Sequence, residues 1–170
     1  MLRTGLLVSL VAAGIGLAGT AHAQQKTVYM PAILELSGAG AVSGTNFRDG
    51  MLMAIDEINK AGGILGHKIE TPVLDTQSDA GTSRAQLQKV LDNNPYVVFG
   101  PVFSGSVLVT QLMTLKAEIP EIVGGEAAAI TQKNNAYVFR TSFGQQFSMP
   151  KIANYIHDSI KAKSVAVVWV

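Results

Sequence analysis

Apolar residues recur along this chain in two rhythms. Short unbroken runs at 28–36, 69–74, 96–99, 120–123, 137–140 and 164–170 read as buried strands. Between them the spacing turns helical. Phe47, Met51, Ala54, Ile55 and Ile58 share one face, and Arg48, Asp49, Asp56, Glu57 and Lys60 take the other. Ala61-Gly62-Gly63 supplies the stop, because glycine tolerates the left-handed position after a helix. A second helix fits Thr82–Asn93, with Leu87, Val90 and Leu91 inward, and a third fits Ser104–Lys116. A fourth, Gln145–Lys161, places Ile152, Tyr155, Ile156 and Ile160 on one side, with Pro150 in its first turns.

The order is β-α-β-α-β-α-β-β-α-β. Such alternation predicts a three-layer α/β fold, a mostly parallel sheet with helices on both faces. Right-handed crossovers bring the strand C-termini to one edge, and open α/β sheets bind ligands beyond that edge.

The first 23 residues stand apart from this pattern. Arg3 precedes an apolar stretch from Gly5 to Gly19, and Ala21-His22-Ala23 has the small-x-small form of a signal-peptidase site. The run is shorter than the ~20 residues of a spanning helix, so cleavage after Ala23 is preferred over an uncleaved anchor. Of the 170 residues, 147 then remain from Gln24, with formally zero net charge. An exported, periplasmic protein follows, for which solute capture, hydrolysis and adhesion are the natural functions. With 13 Lys+Arg against 12 Asp+Glu the chain has no electrostatic footprint for nucleic acid. Having no Cys, it has no disulfide framework, thiolate metal site or thiol nucleophile. The final strand, Val165 to Val170, has no helix behind it, so the chain is expected to be a fragment.

Three loops at the predicted ligand edge carry polar chemistry. Gly38, Gly40 and Gly44 follow the first strand with a spacing one residue too long for a dinucleotide fingerprint, which leaves a Gly-rich turn whose amides line a cleft. Gly100-Pro101-Val102-Phe103-Ser104-Gly105-Ser106 opens the third helix. Its free N–H groups and the hydroxyls of Ser104 and Ser106 suit a carboxylate, or Ser104 simply caps its own helix. Gly124, Gly125 and Glu126 follow the next strand; the glycines bare backbone amides, and Glu126 either accepts from a ligand ammonium or hydroxyl or stays solvated. Neither His67 nor His157 has metal-ligand or triad spacing, no G-x-S-x-G elbow occurs, and no carboxylate pair suits acid–base work. No catalytic residue, metal or cofactor is expected.

Across nearly all of the mature chain a series of motifs occurs in order. They are Leu36-Ser37-Gly38, Gly50 with Ala54-Ile55-Asp56-Glu57-Ile58-Asn59, Gly62-Gly63-Ile64-Leu65-Gly66 and Asp75. Val98-Phe99-Gly100-Pro101 with Ser104-Gly105, Ile119-Pro120 and Phe139-Arg140-Thr141 complete it. In this series the chain resembles the periplasmic substrate-binding proteins of branched-chain amino acid (Leu/Ile/Val-type) ABC transporters, with the type I periplasmic-binding fold. The resemblance implies two lobes that close on a ligand and a membrane permease as partner. It implies an N-terminal lobe over 24–141, incomplete here, and the start of a second over 142–170. It points to Ser104, flanked by Phe103 and Gly105, and to Gly124, Gly125 and Glu126 as carboxylate-binding positions. Ser43 stands where the family often has an aromatic residue, and Gly125-Glu126 where it often has Ala-Thr. The solute is then an amino acid, branched-chain or other, an amide or a small organic acid. A sensory receptor ectodomain on the same fold and, further off, an exported α/β hydrolase are the rival functions.

Overall fold

A computed structural model describes residues 27–132 and 134–167. The expected signal segment, 1–23, lies outside them. Seven strands and four helices follow in chain order: β1 Thr27–Tyr29, β2 Ala32–Leu34, α1 Ala41–Lys60, β3 Lys68–Glu70, β4 Val73–Asp75, α2 Ala80–Leu91, β5 Val98–Phe99, α3 Ser104–Ala117, β6 Glu121–Val123, β7 Val138–Arg140 and α4 Gln145–Asn154.

Two expected strands are each broken in two. The run 28–36 is interrupted at Met30-Pro31 and the run 69–74 at Thr71-Pro72, because proline has no N–H for the ladder. The breaks lie side by side. Met30 N donates to Glu70 O and Ala32 N to Pro72 O, so each chain skips past its neighbour's proline without losing parallel register. The main sheet has the order β4-β2-β5-β6-β7, and all its pairings are parallel.

Side-chain alternation sends the strands' residues to two faces. On one, Ile33, Leu87, Val90 and Val98 pack with Met113 and Ile119 under α2 and α3. Val107, Val123, Ile130 and Val138 continue that core toward β7. The other face carries α1 and beside it an apolar groove of about 400 Å³, lined by Met30, Phe47, Met51, Ile69, Phe99 and Ile122.

Helix boundaries differ from the sequence reading in instructive ways. The first helix begins at Ala41, inside the predicted glycine turn, so Ser43 and Gly44 are helical. The second is capped by Asp79, whose Oδ1 accepts from Thr82 N at 2.6 Å. The fourth runs as an α-helix only to Asn154 and continues as a wide π turn over Tyr155–Ile160. Its expected inner face is not buried: Ile152, Tyr155 and Ile160 are exposed, because no described element packs against them. Nor do the described residues of the final run, 164–167, form a strand. Val165 and Val167 are exposed and hydrogen-bond to no neighbouring strand, and 168–170 lie outside the described residues.

Candidate functional site

The loops after β2, β5 and β6 meet at the C-terminal edge of the sheet, and buried acids and hydroxyls fix their mutual positions. Glu35, at the end of β2, is fully buried. Its carboxylate accepts from Val102 N at 2.9 Å and Phe103 N at 3.1 Å, so the β2 loop sets where α3 begins. Asp75, at the end of β4, holds the first loop. Its Oδ1 accepts from the amides of Leu36, Ser37 and Gln77, and its Oδ2 from the Ser37 hydroxyl at 2.7 Å. Partial burial pushes the Asp75 carboxyl up, but the hydrogen bonds from the Ser37 hydroxyl and the three amides outweigh it and hold the group below the usual carboxylate range. Ser78 completes the clamp by donating to Ser37 O at 2.6 Å and accepting from Gly40 N at 2.9 Å. The amides of Leu36, Ser37 and Gly40 are therefore tied to the β4 loop, not left free to line a cleft.

Ser104 does not cap its own helix. Phe103 holds the N-cap position with extended backbone, and Ser104 is the first residue of α3. The Ser104 hydroxyl instead reaches across to the β6 loop and accepts from Glu126 N and Ala127 N, each at 3.1 Å. An oxygen accepting two hydrogen bonds still has its own hydrogen to give, and that O–H is the more polarised for it. Among the described residues the amides of Ser104, Gly105 and Ser106 have no backbone or side-chain acceptor, as the first turn of a helix dictates. Gly105 is open: a Cβ there would meet nothing within 4 Å.

The other side of the β6 loop is also occupied. Thr141 N donates to Val123 O, the Ser142 hydroxyl to Gly125 O, Gln145 N to Glu126 O, and Arg140 Nη1 to Ala127 O at 3.1 Å. The loop Gly124–Ala127 is thus held through its amides by α3 and through its carbonyls by the segment leaving β7.

Seven of the eight residues singled out by sequence come together in two adjoining loops: Phe103, Ser104, Gly105 and Ser106 in one, and Gly124, Gly125 and Glu126 in the other. Two of these are altered in character. Ser106 is only 3 % exposed, so its side chain packs inward from α3 and does not present a hydroxyl to the cleft. Gly125 is buried because a Cβ would strike Ile130 at 2.6 Å and Val107 at 3.1 Å. Ser43 is exposed in the first turn of α1. Glu126 projects into solvent. Sequence reasoning passed over Glu35. The signal was present: an acid closing an apolar run with no basic residue near it in sequence needs backbone N–H partners if the run is buried. His157 is exposed and contacts Asp158 at 2.7 Å. Among the described residues no cluster of three or more His, Cys, Asp or Glu suits a metal.

In open parallel α/β sheets ligands bind beyond the C-terminal edge of the strands, the edge at which these loops converge. The chain belongs to the periplasmic binding protein family, whose model matches residues 27–169. It is 30 % identical over 95 % of its length to the Leu/Ile/Val-binding protein BraC3 of Rhizobium johnstonii, and it spans 44 % of that protein. It is also 30 % identical, over 78 % of its length, to the leucine-, isoleucine-, valine-, threonine- and alanine-binding protein of Pseudomonas aeruginosa, of which it spans 36 %. The structure superposes with a TM-score of 0.77 on the branched-chain amino acid transporter substrate-binding protein LivJ of Streptococcus pneumoniae, solved with isoleucine. That pair is 31 % identical, and the match covers 81 % of this chain and 40 % of the other. The chain therefore spans less than half the length of these relatives.

Proposed function

We propose that this chain is the ligand-receiving lobe of an extracytoplasmic solute-binding protein that delivers an amino acid to an ABC permease and has no catalytic role. The observation that carries this reading is the Ser104 hydroxyl, gripped by two amides from the next loop and aimed beside the open N-terminus of α3. A carboxylate seated there takes the Ser104 O–H, the N–H of Gly105 and the favourable end of the helix dipole. Glu126, exposed at the rim, is placed to meet an ammonium, which favours an α-amino acid over a simple carboxylic acid. The relatives' names supply branched-chain amino acids as the first ligands to try. In this reading residues 24–141 form the first lobe and 142–170 begin a second, whose closure excludes water and strengthens the polar contacts. Residues 1–23 are the export signal, and N-terminal sequencing of protein recovered from the periplasm should begin at Gln24.

Calorimetric titration with L-leucine and L-isoleucine tests the site. Ser104→Ala removes one donor to the ligand and leaves the Glu126 and Ala127 amides without an acceptor. Affinity should fall about 10- to 100-fold, as expected for the loss of a hydrogen bond to a charged group. Glu126→Gln should weaken amino acids but not their des-amino analogues. Unchanged binding by Ser104→Ala would remove the site from this edge of the sheet.

A further inference from the structure

We propose that Glu121 is a proton-operated clasp. With its carboxyl protonated it completes a hydrogen-bond chain tying β6 to α3 and to the turn before β7, and loss of that proton opens the chain. Glu121 is fully buried at the start of β6. Its Oε2 lies 2.8 Å from the Thr114 hydroxyl, and the same hydroxyl lies 3.2 Å from Gln111 O. Thr114 has one hydrogen and two acceptors. An ionised Glu121 would have to share the Thr114 hydrogen with Gln111 O, whereas a protonated one gives each contact its own hydrogen: Glu121 O–H donates to Thr114 Oγ1, and Thr114 O–H donates to Gln111 O.

The other hydroxyl that faces Glu121 is that of Thr110, and its hydrogen is also drawn to Ser106 O at 3.1 Å and Val107 O at 3.2 Å. Glu121 Oε1 is buried without a hydrogen-bond partner. As an anion Glu121 would sit buried with hydroxyl donors alone, Thr114 and Thr110, each of which has helix carbonyls competing for its hydrogen. Glu35, equally buried, differs in meeting two backbone N–H groups.

Charged groups give no relief. On α3 the only one is Lys116, which is exposed on the outer side. β5 has none, and Arg140 on β7 is engaged with the Glu126 and Ala127 carbonyls at the far end of the sheet. Glu118, before β6, is exposed, and Tyr137, before β7, offers its carbonyl to Glu121 N at 2.7 Å. The ion pairs among the described residues all lie elsewhere. Burial accordingly pushes the Glu121 carboxyl from 4.5 up to about 7, against the opposing pull of Thr110 and Thr114.

The chain continues beyond Gln111. Its backbone oxygen also accepts from Asn135 Nδ2 at 2.9 Å, and Asn135 Oδ1 accepts from Tyr137 N at 2.9 Å. One proton thus joins α3, β6 and the β7 approach. β6 ends in the Gly124–Ala127 loop, so the clasp governs the foundation on which that loop stands.

Urea unfolding of the full chain between pH 4 and 8.5 tests this. A group whose pKa is higher folded than unfolded gives stability that is complete below the unfolded value and lost as pH rises through the folded one. From 4.5 to about 7, at tenfold per pH unit, the unfolding constant should rise on the order of 300-fold relative to Glu121→Gln. The glutamine amide can donate to Thr114 at every pH, so the variant should lack this slope and exceed the parent protein in stability at pH 8. Parallel profiles for the two proteins would overturn the clasp. Carbon-13 titration of the glutamate carboxyls in the parent protein decides the matter even if the variant does not fold. One carboxyl titrating near pH 7, with amide exchange at Glu121 and Tyr137 rising above that pH more steeply than at the other core amides, supports the proposal, and all of them titrating below about pH 5.5 refutes it.

Discussion

Gly44→Ala should destabilise the protein by about 3 kcal/mol, whereas helix propensity alone predicts a gain of roughly 1 kcal/mol for the same change. Gly44 lies in the first turns of α1, where the helix crosses the end of β2. A Cβ there would stand 2.0 Å from the carbonyl oxygen of Glu35 and 2.7 Å from its carbon. Both obstacles are backbone, so no rotamer change relieves the clash, and α1 must move off the sheet. That movement would lift Phe47, Met51 and Ile55 from the apolar face they line. Gly50→Ala is the control, because a Cβ at Gly50, in the same helix, meets nothing within 4 Å. It should show the propensity gain of about 0.5–1 kcal/mol undiluted. Chemical denaturation of the two variants side by side measures both effects, and stabilisation by Gly44→Ala would contradict the packing described here.

Glu35→Ala is expected to cost about 3–5 kcal/mol and to abolish ligand binding along with it. The change strands the amides of Val102 and Phe103, each worth about 1–3 kcal/mol when deprived of an acceptor, and opens a cavity under the loop. Phe103 is the N-cap of α3, so its displacement carries Ser104 away from the Glu126 and Ala127 amides. Glu35→Gln separates the two consequences. It nearly keeps the volume but presents an N–H₂ where one of the two acceptor oxygens stood, so part of the stability should return while binding stays impaired. Equal binding by Glu35→Gln and the parent protein would show that this acid does not position the site.

The order of elements was legible because burial leaves a rhythm in the sequence. Ile33, Val98 and Val123 belong to apolar runs, and Leu87 and Val90 recur at helical spacing; all are in the core. The same rhythm misled where a partner was needed to give it meaning. Ile152, Tyr155 and Ile160 line up on one side of α4 and Val165–Val167 alternate with nothing, yet they are exposed. A pattern reports that a face is fit for burial, not what covers it.

Sequence by itself determined the parallel α/β order and the gathering of the Ser104 and Glu126 loops at one edge; the breaks at Pro31 and Pro72, passed over in the apolar rhythm, appeared only in the structure. The order and the gathering follow from local rules: strand and helix periods and the handedness of crossovers. Only the tertiary structure decided what the polar atoms do. It turned the Ser104 hydroxyl from its own helix to the neighbouring loop, set Glu35 under two amides, and enclosed Glu121 with too few hydrogens for its acceptors. The partners of Ser104 and Glu35 lie 22 to 68 residues away in sequence, and angstrom distances between such partners are set by packing, which no local rule of the chain encodes.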